Sequence, residues 1–473
     1  MKNDGNRASA ITRSLEYIDS GTFEQELARR VTYRTESQKP DSLDELHRYL
    51  DEDIIPAFKA MGFTCRKYDN PLGHGGPFLL AELIEDPALP TILGYGHGDV
   101  ILGLEDQWTK GAGAWQTARD GDRLYGRGTA DNKGQHTINM AATRCVLEER
   151  GSLGYNAKFL IEMGEENGSL GLREVVEQNL DDFSADVFIG SDGPRMSPDR
   201  PTLTLGARGA ENFDLFVNLR EGGHHSGNWG GLIADPAIIL ANAIASITGP
   251  TGQIKIKQWL PPATPQSVKD VLSGLVIEAG PGAPEIDPDW GEPGMTPAEK
   301  VYGWNSFAVL AMKSGNPESP VNAISPWAKA HCQLRYFAGT DAENILPALR
   351  KHLDDNGFHM VEIGRPPPEN AAGFAASRTE PDHPWVDFVA KSMQRTIGEA
   401  PAIIPSMGGS ICNDIFTDLL GLPALWIPHS YAACSQHAPD EHILMSVTRT
   451  AVPVMTGLYW DIGSGGTPKE TSQ

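Results

Sequence analysis

The chain has 473 residues, 40% hydrophobic and 21% charged, which excludes a disordered or fibrous protein and suggests more than one domain, since single cores stop growing beyond roughly 250–300 residues. Lys and Arg number 39 against 62 Asp and Glu, a formal charge of −23. Such a field repels phosphate backbones and anionic lipids, so no nucleic acid and no membrane partner is expected. The stretch MKNDGNRASAITRSLEYIDS has no apolar signal-peptide core, and no segment is long and apolar enough for a membrane span, which predicts a cytoplasmic protein. Cys65, Cys145, Cys332, Cys412 and Cys434 form no Cys-x-x-Cys pair, predicting reduced thiols rather than a disulfide framework or a thiolate zinc site.

Along the chain, SLDE (42–45) reads as a capping box. Leu43, Leu46, Leu50, Ile54, Phe58 and Met61 then recur at helical spacing until Gly62, predicting an amphipathic helix. Apolar runs predict strands over 78–83, 91–95, 157–163 and 185–190, with helical patterns over 135–149 and 170–180 between the last three. Strands alternating with helices imply βαβ units and a largely parallel sheet. Beyond Arg208 the texture changes to a strand over 211–218, the glycine-rich GGHHSGNWGG and a helix over 235–247. The stretch 250–303 is dense in Pro, Gly and acidic residues and predicts long loops with one short helix over 268–275. A strand over 328–336, a helix over 341–355 and a strand over 360–363 complete a small α+β sandwich, and RPPPENAAG (365–373) reads as its exit linker. A helix over 385–397, a strand over 424–428 and a helix over 442–458 return to the first texture, and GSGGTPKETSQ at the end is expected to fray. The expected fold is α/β: a main domain over 1–207 and 377–473, with a mostly parallel sheet, interrupted by an inserted α+β domain over 208–376.

Ligands of an open α/β sheet gather outside the carboxyl ends of its strands. There stand His97 and Asp99, Glu165 and Glu166, Asp192, and His429 and His437, while Asp131 opens a helix. Singly, each is an ordinary loop residue or helix cap. Jointly, imidazole and carboxylate without thiolate suit a hydrolytic divalent ion, zinc first, with manganese or cobalt as alternatives. A carboxylate shared by two ions makes a clamp that polarises a carbonyl and acidifies water, and adjacent glutamates allow one to ligate while the other moves the proton.

The segments GHGDV (96–100), LYGRGTADNKG (124–134), EMGEENGS (162–169), SDG (191–193), HSG (225–227) and HAPDEHI (437–443) resemble the motif series of the co-catalytic zinc metallopeptidases that include carnosinases, aminoacylases and glutamate carboxypeptidase. The first 75 residues and 250–303 carry none of it. The resemblance implies a zinc-exopeptidase-like catalytic domain and an inserted lid and dimerisation domain. It implies one metal on His97 and Asp192, another on Glu166 and His437, and Asp131 bridging both, commonly through a cis peptide to the next residue, here Asn132. Asp99 matches the aspartate that orients the first histidine, and Glu165 the general base. His225 matches a histidine that reaches the partner subunit's site in a homodimer, there stabilising the tetrahedral intermediate. Asn322 and Arg335 match residues that bind the substrate's terminal carboxylate, a task suited to the planar guanidinium, and Gly408, Gly409 and Ser410 match a glycine-rich pocket loop. His429 is left as a structural residue or pocket wall.

Departures from the family pattern fall near the substrate: Asn132 where carnosinases usually have Asp, Ser325 where a proline is expected, Tyr336-Phe337 after Arg335 and Cys412 after Ser410-Ile411. They leave the ligand set and Glu165 intact and place substrate identity in question. The expected function is a two-metal hydrolase cleaving the amide of a dipeptide or N-acyl amino acid with a free carboxylate. The alternative is an amidohydrolase for a non-peptide amide or N-carbamoyl substrate. A metal-free binding protein would have lost ligands, and none is lost.

Overall fold

The computed structural model describes residues 5–277, 284–365 and 374–468. Strands Thr91–His97, Asn156–Glu162 and Val187–Gly190 are buried along nearly their whole length, as central strands covered on both faces must be. They lie in an eight-stranded sheet of order Thr64–Tyr68, Phe78–Leu83, Asn156–Glu162, Thr91–His97, Val187–Gly190, Ala424–Trp426, Thr202–Thr204, Ala402–Ile404. The pairings at its centre are parallel, and the two at the Thr64–Tyr68 edge are antiparallel.

Side-chain alternation divides this sheet between two cores. Leu79, Ala81, Phe159 and Ile161 face helices Arg7–Asp19, Lys133–Arg150, Pro384–Ile397 and Met445–Ile462, whereas Phe78, Leu80, Leu160 and Tyr95 face Leu172, Val175, Ile415 and Phe416. The main sheet therefore takes strands from both ends of the chain, as the α/β expectation requires.

The 42–61 helix forms as Leu43–Tyr49, a widened turn over Leu50–Ile54 and Ile55–Ala60, ending where Gly62 takes φ 90°. Pro56, which has no N–H, accounts for the wide turn. The expected capping box is absent, because Ser42 Oγ donates to the Lys39 carbonyl and the Glu45 carboxylate accepts from the Arg34 N–H. Two helices were not legible: Arg7–Asp19, capped by Asn6 accepting from the Ser9 N–H, and Thr22–Val31. The buried face of the first is Ala10, Ser14, Tyr17 and Ile18, too weakly apolar to read as a stripe.

The inserted part holds a four-stranded antiparallel sheet of order Ser306–Lys313, Trp327–Tyr336, Gly209–Asn218, Glu362–Gly364. Phe213, Leu215, Val217, Ala328, Ala330 and Leu334 pack one face against Leu240, Ala243 and Ile247 of helix Pro236–Ile247 and Ile345, Leu349 and Leu353 of helix Ile345–Asp355. The stretch over 250–303 is more ordered than its composition suggested: Pro297–Tyr302 joins Gln266–Ser273 as a second short helix. The linker over 365–373 falls, apart from Arg365, outside the described residues, as does the end of the tail. Among the described residues no helix is long and apolar enough to cross a membrane.

Candidate metal centre

His97 is the last residue of its strand, Glu165 and Glu166 open the short turn Glu165–Asn167 after Asn156–Glu162, and Asp192 follows Val187–Gly190. The carboxyl ends of three adjacent strands thus deliver their polar residues to one place. Asp131 precedes helix Lys133–Arg150, and its peptide bond to Asn132 is cis. His437 arrives on a loop after Ala424–Trp426, with left-handed φ of 58°.

These side chains form two three-residue groups that share Asp131: His97, Asp131 and Asp192, and Asp131, Glu166 and His437. In each group the ligand atoms lie within 4.8 Å of one another. His97 Nε2 is 2.9 Å from Asp131 Oδ1 and 3.7 Å from Asp192 Oδ2, while His437 Nε2 is 3.1 Å from Asp131 Oδ2 and 2.9 Å from Glu166 Oε2. One carboxylate therefore presents an oxygen to each imidazole, a donor set of nitrogen and oxygen that fits two borderline divalent cations.

The electrostatics also fit a cationic occupant. Burial, together with the charges of its carboxylate neighbours, raises Glu165 well above the usual range and Glu166 to about 7. Burial raises Asp192 to about 6. Hydrogen bonds from His437 and His97 overcome burial at Asp131 and hold it below the usual carboxylate range. At His437 the hydrogen bonds to Asp131 and Glu166 push the imidazole up to about 11. Crowded carboxylates that take up protons to relieve repulsion are the groups that positive ions would stabilise.

Supporting residues surround these side chains, of which Asp99 and His429 were named from the sequence, whereas Ser37, Glu441 and Gln436 had no separate signal. Asp99 accepts from the backbone N–H groups of Glu165 (3.2 Å) and Glu166 (3.1 Å) and from Ser37 Oγ (2.7 Å), and its carbonyl lies 3.1 Å from His97 Nδ1. It thereby ties the first histidine to the glutamate turn. Glu441 accepts from Arg127 Nη1 (2.7 Å) and from the N–H groups of Gly128 (3.0 Å), Ala130 (2.9 Å) and Asp131 (3.0 Å), so one buried carboxylate sets the loop that carries the shared ligand. It lies within HAPDEHI, but only the tertiary structure brings that segment to 127–131. Gln436 Nε2 donates to Asp131 Oδ2 at 2.5 Å. His429 is fully buried, with Nε2 3.1 Å from Ser191 Oγ, and supports the strand end that carries Asp192.

A cavity of about 560 Å3 opens on Asp131, Glu165, Asp192 and His437, with Gly409 and Ser410 on its wall. Arg335 reaches this wall, donating from Nη1 to Ser410 Oγ at 2.8 Å. His225 and Asn322 do not line it. Strand His224–His225 pairs with Ala323–Ile324, and the Asn322 carbonyl accepts from the Ser226 N–H at 2.9 Å, so the two residues sit together on an exposed part of the insertion.

Residues 93–461 match the family described as peptidase family M20/M25/M40. Cysteinylglycine-S-conjugate dipeptidase of Corynebacterium striatum is 30% identical over 399 residues, 82% of this chain and 83% of that protein. Beta-Ala-His dipeptidase of Mus musculus is 39% identical over 184 residues, which span only 38% of this chain and 37% of that protein. In fold, the crystal structure of human carnosine dipeptidase 1 superposes with a TM-score of 0.76 at 21% identity, covering 96% of this chain and 99% of that one. The chain belongs to peptidase family M20/M25/M40 and is a metal-dependent peptidase.

Proposed function

We propose that this peptidase hydrolyses the amide bond of a dipeptide or N-acyl amino acid with a free carboxylate, using two divalent cations, zinc foremost. The sharing of Asp131 between two ligand groups, with Glu165 beside them, carries the reading. His97 and Asp192 would hold one ion and Glu166 and His437 the other, with Asp131 available to both groups. When bound, the ions polarise the carbonyl and lower the pKa of water toward ~7.

The chain's own groups do the rest. Glu165 takes the proton of the attacking water and returns it to the departing amine. Asp99 keeps His97 and the glutamate turn in register. Arg335, Ser410 and Gly409 hold the substrate carboxylate, and Asn322, which sits beside His225 away from this cavity, joins them from a neighbouring subunit. His225 supports the developing oxyanion of a neighbouring subunit in a homodimer. That dimer forms through the insertion, whose edge strand Ser306–Lys313 is exposed along nearly its whole length and carries Leu310 and Met312, with Leu232 and Val321 exposed elsewhere on the insertion. The relatives named as dipeptidases favour a small peptide substrate.

The test is a panel of dipeptides, N-acyl amino acids and N-carbamoyl amino acids with zinc-, manganese- and cobalt-loaded protein. Glu165→Ala should lower kcat at least about 1,000-fold while elemental analysis still finds two metals per chain. Undiminished turnover of this variant removes Glu165 as the base, and hydrolysis confined to the N-carbamoyl compounds replaces the dipeptidase reading.

A further inference from the structure

A second cavity, about 620 Å3, opens beside the one at the metal centre. Trp290, Met295, Val301, Trp304 and Phe307 line it, and Ile277 and Ile286 line both cavities. Most of this lining comes from the stretch that carries no family motif. Its walls are built. Thr296 and Glu299 cap helix Pro297–Tyr302 reciprocally (2.7 and 3.2 Å), and Lys300 Nζ donates to the carbonyls of Trp290 (2.6 Å) and Pro288 (3.3 Å). Asn305 donates to the Trp259 carbonyl (2.5 Å) and accepts from the Phe337 N–H (2.6 Å).

Arg208 stands where the cavities adjoin. It lines the second one, and its Nε and Nη2 donate to the Gly408 carbonyl at 3.0 and 2.7 Å on the wall of the first. Its own carbonyl accepts from Ser410 Oγ at 2.6 Å, the oxygen that Arg335 meets from the other side. The proposed carboxylate clamp is therefore one residue away from an apolar, concave space. A side chain branches from the same Cα as the carboxylate, so it is the part of the substrate that this space can reach.

We propose that the second cavity is a specificity pocket for a large apolar side chain, aromatic or branched, on the C-terminal residue of the substrate. This rests on the hydrolase reading above and deepens it. Burying a Phe-sized side chain is worth about 10- to 150-fold in affinity, and a preformed pocket loses little of that to ordering.

The experiment compares kcat/KM for Ala-Gly, Ala-Phe, Gly-Ala and Phe-Ala with metal-loaded wild-type protein, Met295→Trp, which fills the pocket, and Trp290→Ala, which removes a wall. Both substituted side chains are partly exposed, so the fold tolerates the changes. Wild type should favour Ala-Phe over Ala-Gly at least about tenfold, and each variant should bring that ratio toward one. A wild-type ratio near one, a ratio unchanged in both variants, or a gain for Phe-Ala over Gly-Ala instead would overturn the proposal. Calorimetry with free L-phenylalanine and glycine separates the two readings. Tighter phenylalanine binding that Met295→Trp abolishes, with no dipeptide cleaved, keeps the pocket and removes the hydrolase assignment.

Discussion

The two largest sheets among the described residues prepare their chemistry differently. At the carboxyl end of the mostly parallel sheet, His97, Asp131 and Asp192 are buried and already within reach of one another, on a strand end, a helix start and a strand-following turn of a sheet packed between two cores. The antiparallel sheet of the insertion has one face packed on helices and its edge strand exposed, and the segment holding His225 and Asn322 stands in solvent away from the metal cavity. The contrast teaches that the candidate ligands are assembled within one chain's core, whereas the roles proposed for His225 and Asn322 depend on what meets that surface.

That contrast can be broken most severely at Asp131. Asp131→Ala removes a donor from both groups at once, so both ions should be lost and activity should fall below detection, read by elemental analysis and turnover together. Retention of two metals would show that the shared carboxylate is not the centre of the cage. A smaller loss is expected from the insertion: His225→Ala should lower kcat about 100- to 1,000-fold, the scale of one oxyanion donor, with metal content unchanged. Mixing it with Glu165→Ala should restore partial activity if the histidine acts across subunits, and no recovery would place the two residues in one site or remove His225 from the reaction.

Glu441→Gln keeps the shape of the residue that sets the Asp131 loop but weakens its charge-assisted hydrogen bonds. Metal affinity should drop about 10- to 100-fold, as for other partners that orient ligands, measured by competition with a chelator. An unchanged affinity would mean the loop is held by the sheet alone.

The mildest effect is expected on stability. Glu162 is fully buried, and burial raises it to about 7 although Tyr95 and Ser169 donate hydrogen bonds to it. Its folded-state value thus lies above that of the unfolded chain. Between about pH 4.5 and 7 the folded protein keeps a proton that the unfolded chain has released, so this group's contribution declines as pH rises through that window. Glu162→Gln should flatten the decline and stabilise the protein by about 1–3 kcal/mol at pH 8, read from urea unfolding at pH 5 and pH 8. An equal slope in both proteins would show that Glu162 does not titrate there.

Much of the main domain was legible because its central strands are uninterrupted apolar runs and the chemistry-bearing residues fall just beyond them. The strands at 91–97 and 156–162 and the helix at 133–150 differ from expectation by no more than two residues at each end. Helix Arg7–Asp19 escaped because a small residue and a hydroxyl supply half of its buried face. The failed capping box at Ser42 has a similar cause, since its hydroxyl found the Lys39 carbonyl first and Glu45 was drawn to the Arg34 N–H. In the insertion, the stretch over 250–303 reads as loop by composition, yet Thr296, Glu299 and Lys300 organise it through contacts with the local backbone.

By itself, the order of amino acids determined that imidazoles and carboxylates stand just beyond the strand ends, and only the resemblance of the motif series implied which two imidazoles and three carboxylates among them would ligate, with a glutamate left free beside them. Strand periodicity and ligand chemistry are local properties, readable within a few residues. Only the tertiary structure decided that Glu441 would hold the loop of Asp131, that Ser37 would bond to Asp99, and that Arg208 would stand between two cavities. Those contacts join segments tens to hundreds of residues apart, and what brings them together is the packing of both ends of the chain onto one sheet, a long-range balance that no local pattern records.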